Sequence, residues 1–132
     1  MIVIDSSAVV AILLDEPERA DFALRVASSR TVISTLNVFE TETVIRGRLG
    51  AARVPAVRAW LTDNGVDIAP FDDAQSSAAS DAYGRYGKGF HRARLNICDC
   101  AAYALSRSMN APLLYKGDDF DRTDVTSAVT AG

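Results

Sequence analysis

The sequence predicts an α/β domain of three layers, with a parallel sheet of short strands covered by helices on both faces. Three observations carry this expectation. The strand-like segments are short apolar runs without the inside-outside alternation of a half-solvated sheet. They are separated by stretches in which Ala, Leu and Val recur at helical spacing. At 132 residues, with 48% hydrophobic and 23% charged residues, the chain has the size and composition of one domain, residues 1–132.

The chain opens on Ile2, Val3 and Ile4, an apolar run ended by Asp5, after which Ser6 and Ser7 lead into the apolar stretch from Ala8 to Leu14. This reads as a buried strand, a helix cap and a helix. Beyond Glu16-Pro17, Ala20, Ala23, Leu24 and Ala27 mark a second helix, and Thr31 to Ser34 a second strand. Residues 35–49, TLNVFETETVIRGRL, form a helix with Gly50 as its stop signal. Pro55 opens the next helix around Val57, Trp60 and Leu61, and the turn pair Asn64-Gly65 precedes a strand at 66–68. Residues 72–86 are again helical, and Gly84, Gly87 and Gly89 break that helix into a basic loop from Tyr83 to Leu95. Helix returns over 96–109, and 112–115 is the last strand, followed by Gly117, Asp118 and Asp119. The closing VTSAVTAG carries no motif.

Several function classes are excluded. No apolar run approaches the ~20 residues of a membrane span, and the amino terminus lacks the basic start of a secretory signal, which predicts a cytoplasmic protein. Cys98 and Cys100, two apart in a helix, diverge too far for a bridge and read as buried thiols. With those two cysteines and one histidine, a structural zinc site is not expected. There is no GxxxxGK[ST] loop and no GxSxG elbow, which removes P-loop NTPases and serine hydrolases. A net charge of −3 and a pI near 5.0 argue, taken alone, against a nucleic-acid binder.

Four acids stand out by position: Asp5 after the first strand, Glu40 inside an apolar helix, Asp99 at the start of a later helix and Asp118 after the last strand. In an open parallel sheet the ligand crevice lies outside the carboxyl ends of the strands. Each acid also has a structural explanation, since Asp5 caps a helix and Asp99 completes a capping box led by Asn96. Periodicity does not choose between Glu40, on a face with Leu36, Val44 and Gly47, and Glu42, on a stripe with Val38, Ile45 and Leu49. Carboxylates converging on one crevice repel one another unless a cation lies between them. Oxygen ligands favour Mg²⁺, or Mn²⁺, and that chemistry suits phosphodiester hydrolysis. A metal-free ribonuclease commonly needs two histidines, and the chain has only His91.

The ordered blocks VIDSSAVV, FETETVI, YGKGFHRARLNICDCAAYALS and PLLYKGDDFDRTD resemble PIN-domain proteins and, more narrowly, the VapC-type toxins of bacterial toxin-antitoxin pairs. The resemblance spans essentially the whole chain and is most specific from Tyr86 to Asp124. It implies a Mg²⁺-dependent endoribonuclease in which Asp5 and Asp99 ligate the metal. Glu40 and Asp118 orient its water, and the products carry a 5′-phosphate and a 3′-hydroxyl. Glu42 and Asp119 remain alternatives within that site, and Ser6 or Ser7 supports it by hydrogen bonding. The resemblance further implies a VapB-like antitoxin partner and a homodimer or toxin-antitoxin hetero-oligomer.

Between Tyr83 and Leu95 the cations Arg85, Lys88, Arg92 and Arg94 occur with no acid, interleaved with Tyr83, Tyr86, Phe90 and His91. Such a loop suits phosphates and unstacked bases, and Arg85, Lys88, His91, Arg92 and Arg94 are the substrate-binding candidates. Arg46, Arg48, Arg53 and Arg58 form a second acid-free stretch. Leu13, Val26 and Trp60 are candidates for an interface as well as for the core. A phospho-receiver domain is the rival from another class, and Lys116 is the one residue that suits it. A PIN-like fold kept for binding alone is the second rival. With the four site acids set aside from the seventeen, thirteen acids face fourteen bases, so the acidity is concentrated in the site.

Overall fold

The computed structural model describes residues 1–89 and 91–129. The sheet is built from β1 (Ile2–Ile4), β2 (Thr31–Ser34), β3 (Asp67–Ala69) and β4 (Leu113–Leu114). The helices are α1 (Ser6–Leu13), α2 (Arg19–Ala27), α3 (Thr35–Leu49), α4 (Pro55–Asp63), α5 (Asp73–Tyr86) and α6 (Ile97–Met109). The strand order is β3-β2-β1-β4 and every pairing is parallel.

Successive strand residues point to opposite faces, and here both faces are dry. Ile2, Ile4, Ile33 and Leu114 pack with α1 to α4 through Val9, Phe22, Val38, Val57 and Leu61. Val3, Val32 and Leu113 pack the other way against α5 and α6 through Ala82, Tyr86, Leu105 and Tyr103. This is the expected three-layer α/β/α arrangement. Fully burying a side chain such as Ile4 or Ile33 is worth ~1.5–3 kcal/mol, so the central strands anchor the fold. Val26 lies within the first core, with Leu13 and Trp60 packed half-buried against it, so all three serve packing.

Two strands depart from the expected pattern. β3 begins one residue later than the 66–68 reading and is not buried on both faces, because it forms the sheet edge. Val66 is the core residue there, while Asp67 and Ile68 are exposed. A charge on an edge strand also discourages further pairing. β4 shrinks from 112–115 to two residues, yet its outer side is covered: Leu113 N donates to Thr126 O and Ala128 N donates to Leu113 O. The unpatterned tail therefore extends the sheet through a parallel bridge between Leu113 and Ser127. Residues 130–132 of that tail lie outside the described residues.

The chain runs from β1 outward through β2 to β3 and then crosses back to place β4 on the other side of β1. The direction of winding reverses between β1 and β4, which puts a crevice at their carboxyl ends. Among the described residues no helix is long and apolar enough to cross a membrane.

Candidate active site

Asp5 leaves β1 in an extended conformation and caps α1, its Oδ2 accepting hydrogen bonds from the Ser7 amide at 3.0 Å and the Ser7 hydroxyl. The Ser7 hydroxyl in turn accepts from Lys116 N at 3.0 Å, tying the start of α1 to the residues after β4. The other carboxylate oxygen, Oδ1, is buried and has no hydrogen-bond partner. Asp5 is thus both the helix cap and an acid with one oxygen left over. An unpaired buried oxygen of this kind is costly unless something else satisfies it.

Glu40 reaches the same place from the second turn of α3, where the Ser6 hydroxyl donates to its Oε1. Glu42 points elsewhere and pairs with Arg58 of α4 at 3.4 Å. A partner on another helix thus engages Glu42, while Glu40 is engaged by Ser6 beside Asp5. Asp99 sits in the first turn of α6, where its Oδ2 accepts from Asn96 N at 3.0 Å and its own amide donates to Asn96 Oδ1 at 2.8 Å. The capping box is present, and it aims the carboxylate into the crevice.

The three acids repel one another. Burial is the main cause that pushes Asp5 up to about 7, reinforced by the charges of Asp99 and Glu40 and opposed by its hydrogen bonds to Ser7. Burial likewise pushes Asp99 up to about 6, with the backbone of Asn96 opposing and the charges of Glu40 and Asp119 adding. Of the adjacent pair after β4, Asp119 is therefore the acid whose field reaches Asp99. Both residues are exposed, and Asp118 leads into a 3-10 turn over Asp119–Arg122.

Two residues that the sequence reading had not placed in the site also belong to it. Cys98, expected to be buried, is only half-buried and donates its thiol to Glu40; desolvation and the surrounding carboxylates push it up to about 12, so it stays a neutral thiol. Asn37 is fully buried on α3 and its Nδ2 donates to Cys98 O at 3.0 Å, which fixes α3 against the first turn of α6. In the sequence its one mark is an amide four residues before Thr41 in the same helix.

Among the described residues no three His, Cys, Asp or Glu side chains form a ready-made metal cage. Asp5, Glu40 and Asp99 are instead held by Ser7, Ser6 and Asn96. The donor chemistry nevertheless suits a hard divalent cation: Asp5 and Asp99 are raised by burial and by neighbouring carboxylate charge, and Asp5 keeps an orphaned buried oxygen. Lys116, the residue that suited a phospho-receiver, pairs with Glu16 at 3.1 Å and Glu18 at 3.4 Å and not with the acid cluster.

The basic loop is closed at its neck by Leu95 N donating to Tyr86 O and Lys88 N to Leu95 O. Lys88, Gly89, His91, Arg92 and Arg94 line one shallow depression. Arg94 holds a left-handed φ of 56° there, a conformation costing about 1 kcal/mol or more in a non-glycine residue. His91 accepts from Ala93 N at 2.9 Å through Nδ1 and meets Tyr86 edge-on, so its ring braces the loop. Arg85 is set apart: it lies on α5, over the Tyr86 ring and 3.9 Å from Asp124. Phe90 lies outside the described residues. Arg46, Arg48 and Arg53 are exposed, and Arg58 is engaged by Glu42.

The PIN-domain family model matches residues 2–125. Ribonuclease VapC30 of Mycobacterium tuberculosis is 41% identical over 126 residues, covering 95% of this chain and 96% of that protein. A ribonuclease VapC of Mycolicibacterium smegmatis is 44% identical over 126 residues, covering 95% of this chain and 98% of its own length. Among solved structures, Mycobacterium tuberculosis VapC20, described as a sarcin-ricin loop cleaving toxin, superposes with a TM-score of 0.81 at 16% identity, over 97% of this chain and 98% of that one. That last likeness is one of fold.

Proposed function

The chain belongs to the PIN-domain family, among the VapC ribonucleases, and from that premise we propose that it is the Mg²⁺-dependent endoribonuclease toxin of a toxin-antitoxin pair, using Asp5, Glu40 and Asp99 at its reacting centre. The observation that carries this reading is the meeting of acids from three separate elements, two of them held well above the usual carboxylate range. Structural acids pair with cations, as Asp21 does with Arg25; these three face one another.

Asp5 and Asp99 are the residues that would hold the cation, and Asp5 has an Oδ1 that no protein group satisfies. Bound Mg²⁺, or Mn²⁺ in its place, supplies Lewis-acid polarisation of the phosphoryl oxygen and a lower pKa for water. Ser7 fixes the other oxygen of Asp5 so that Oδ1 stays turned to the crevice. Glu40, oriented by the hydroxyl of Ser6 and the thiol of Cys98, accepts a proton from the water that attacks phosphorus. The new bond is from water oxygen to phosphorus, the bond to the 3′ oxygen breaks and that oxygen takes a proton from solvent water, so the products carry a 5′-phosphate and a 3′-hydroxyl. The fourth carboxylate comes from the Asp118-Asp119 pair at the rim. Lys88, His91, Arg92 and Arg94 hold the RNA backbone, with Arg85 contributing at the edge.

Cytoplasmic location, a VapB-like antitoxin that blocks the acidic crevice, and assembly as a homodimer or toxin-antitoxin hetero-oligomer complete the proposal. The test is cleavage of single-stranded RNA by the purified chain with Mg²⁺ and with EDTA, with the new ends mapped. Mg²⁺-dependent cuts lost in Asp99→Asn are expected. Equal cutting by the folded variant would sink the assignment.

A further inference from the structure

A second concavity borders the first turn of α6, and none of the acids lines it. It is an open groove of about 440 Å³ between α5 and α6, within the ~300–1,000 Å³ of small-ligand sites. Its walls are the rings of Phe71 and Tyr83 and the side chains of Ile97 and Cys100, and Ser76 and Ser80 bring hydroxyls to its α5 side. Ile97 is 70% exposed, an unusual state for isoleucine at the start of a helix.

Contacts of its hydroxyl and its ring hold Tyr83 in place. Its hydroxyl donates to Lys88 O at 3.2 Å. Its ring lies against the backbone of Gly87, where an added Cβ would stand 2.8 Å from the ring and 2.3 Å from Tyr83 O. Only glycine admits that approach. The result is a rigid aromatic wall, the kind of surface that stacks a planar ring without losing side-chain freedom on binding.

Charge decides what kind of ligand the groove faces. Tyr83 and Lys88 join it directly to the depression lined by Lys88, His91, Arg92 and Arg94, where no acid occurs between Tyr83 and Leu95. Through Ile97 and Cys100 it adjoins Asp99 along α6, one helical turn serving both clefts. A ligand that is anionic along its length, planar and apolar at intervals, and able to use hydroxyl partners at its edges is a strand of unpaired nucleotides.

We infer that the α5–α6 groove is a nucleobase subsite, taking one unstacked base of an RNA strand whose phosphates lie on the Lys88–Arg94 loop. The inference rests on the ribonuclease reading and adds where that strand's base goes. Tyr83 stacks on the base, Phe71 and Ile97 exclude water from its faces, and Ser76 and Ser80 meet its polar edge.

Binding without turnover separates the two claims. Fluorescence anisotropy in EDTA would compare a labelled single-stranded RNA of mixed sequence with an abasic strand of equal length. Ser76→Trp and Ser80→Trp fill the groove from exposed positions, so they spare the core, and circular dichroism would verify their fold. Tyr83→Leu provides a third variant that empties the stacking wall. About tenfold weaker binding of the base-bearing strand by each variant is expected, with wild type losing a similar factor on the abasic strand and the variants losing little more. Unchanged binding by the groove variants, beside weaker binding by Arg92→Ala, would overturn the subsite and leave the RNA reading standing. Unchanged RNA binding with lost antitoxin binding would assign the groove to a protein segment and overturn it equally. A wild-type chain that binds neither strand would remove the ribonuclease reading along with the subsite.

Discussion

The side-chain amide of Asn37 donates to the backbone carbonyl of Cys98 at 3.0 Å, so a fully buried residue of α3 holds the first turn of α6. Glu40 lies one turn along α3 from Asn37, and Asp99 follows Cys98 directly. The bond therefore sets the distance between two of the three acids. Asn37→Ala is expected to cost on the order of 1–3 kcal/mol, the penalty for removing a buried hydrogen-bond partner. Urea denaturation would measure it. Cleavage under conditions where the variant stays folded should fall further than the stability loss explains.

If the proposed function holds, Asp5→Asn and Asp99→Asn each lower Mg²⁺-dependent cleavage by at least about a hundredfold, because each would remove a charged metal ligand without changing shape. Both variants should keep a native circular dichroism spectrum. Single-turnover cleavage of RNA is the measurement, and retention of even a tenth of the wild-type rate would count against the role.

The raised carboxyls make a signed prediction for the metal-free protein. Asp5 and Asp99 ionise near 4 when unfolded but near about 7 and about 6 when folded. Between those values the folded state binds more protons, so stability falls as pH rises from about 4 to about 7. For Asp5 alone the loss is at most ~4 kcal/mol. Thermal melts in EDTA across that range should show the decline, and Asp5→Asn should flatten it. Mg²⁺ should raise the melting temperature more at pH 8 than at pH 5.

Glu42→Ala tests which glutamate matters. Its ion pair with Arg58 is partly exposed, so removal should cost less than ~1 kcal/mol and leave cleavage intact. Glu40→Gln keeps the bond from Ser6 but removes the proton acceptor, and a loss of tenfold or more in rate is expected. Parallel rate measurements on the two variants decide the matter.

Salt dependence tests the loop. Arg92→Ala and Arg94→Ala should each weaken RNA binding and reduce the slope of log affinity against log salt by about 1. Arg85→Ala should change the slope less, because its guanidinium is already near Asp124 and stacked on Tyr86. Titrations at several salt concentrations would separate the three.

Much of this architecture is legible in the chain because burial on both faces leaves continuous apolar runs, as in β1 and β2. Asp5 is legible for the same reason, since an acid ending such a run must lie at a strand's carboxyl end. Local pattern fails where a distant residue decides the outcome. Glu40 and Glu42 separate only once Arg58 of α4 is in place beside one of them. The choice between Asp118 and Asp119 depends on a 3-10 turn that brings the field of the second to Asp99. Cys98 reads as a core thiol until α3 brings Glu40 to it. The pairing of Ser127 beside Leu113 has no periodic signal, because a single bridge has no period.

The hydrogen bond from Lys116 N to the Ser7 hydroxyl joins residues 109 positions apart, and β1 has β4 as one of its two neighbours. A ribosome makes ~5–20 residues per second, so several seconds separate the appearance of the first acid from that of the strand that completes its setting. Throughout that interval Asp5 has no finished crevice around it. A centre stitched from distant parts of one chain has no complete form while only its first strand and helix have been made, so the order of synthesis itself delays its assembly.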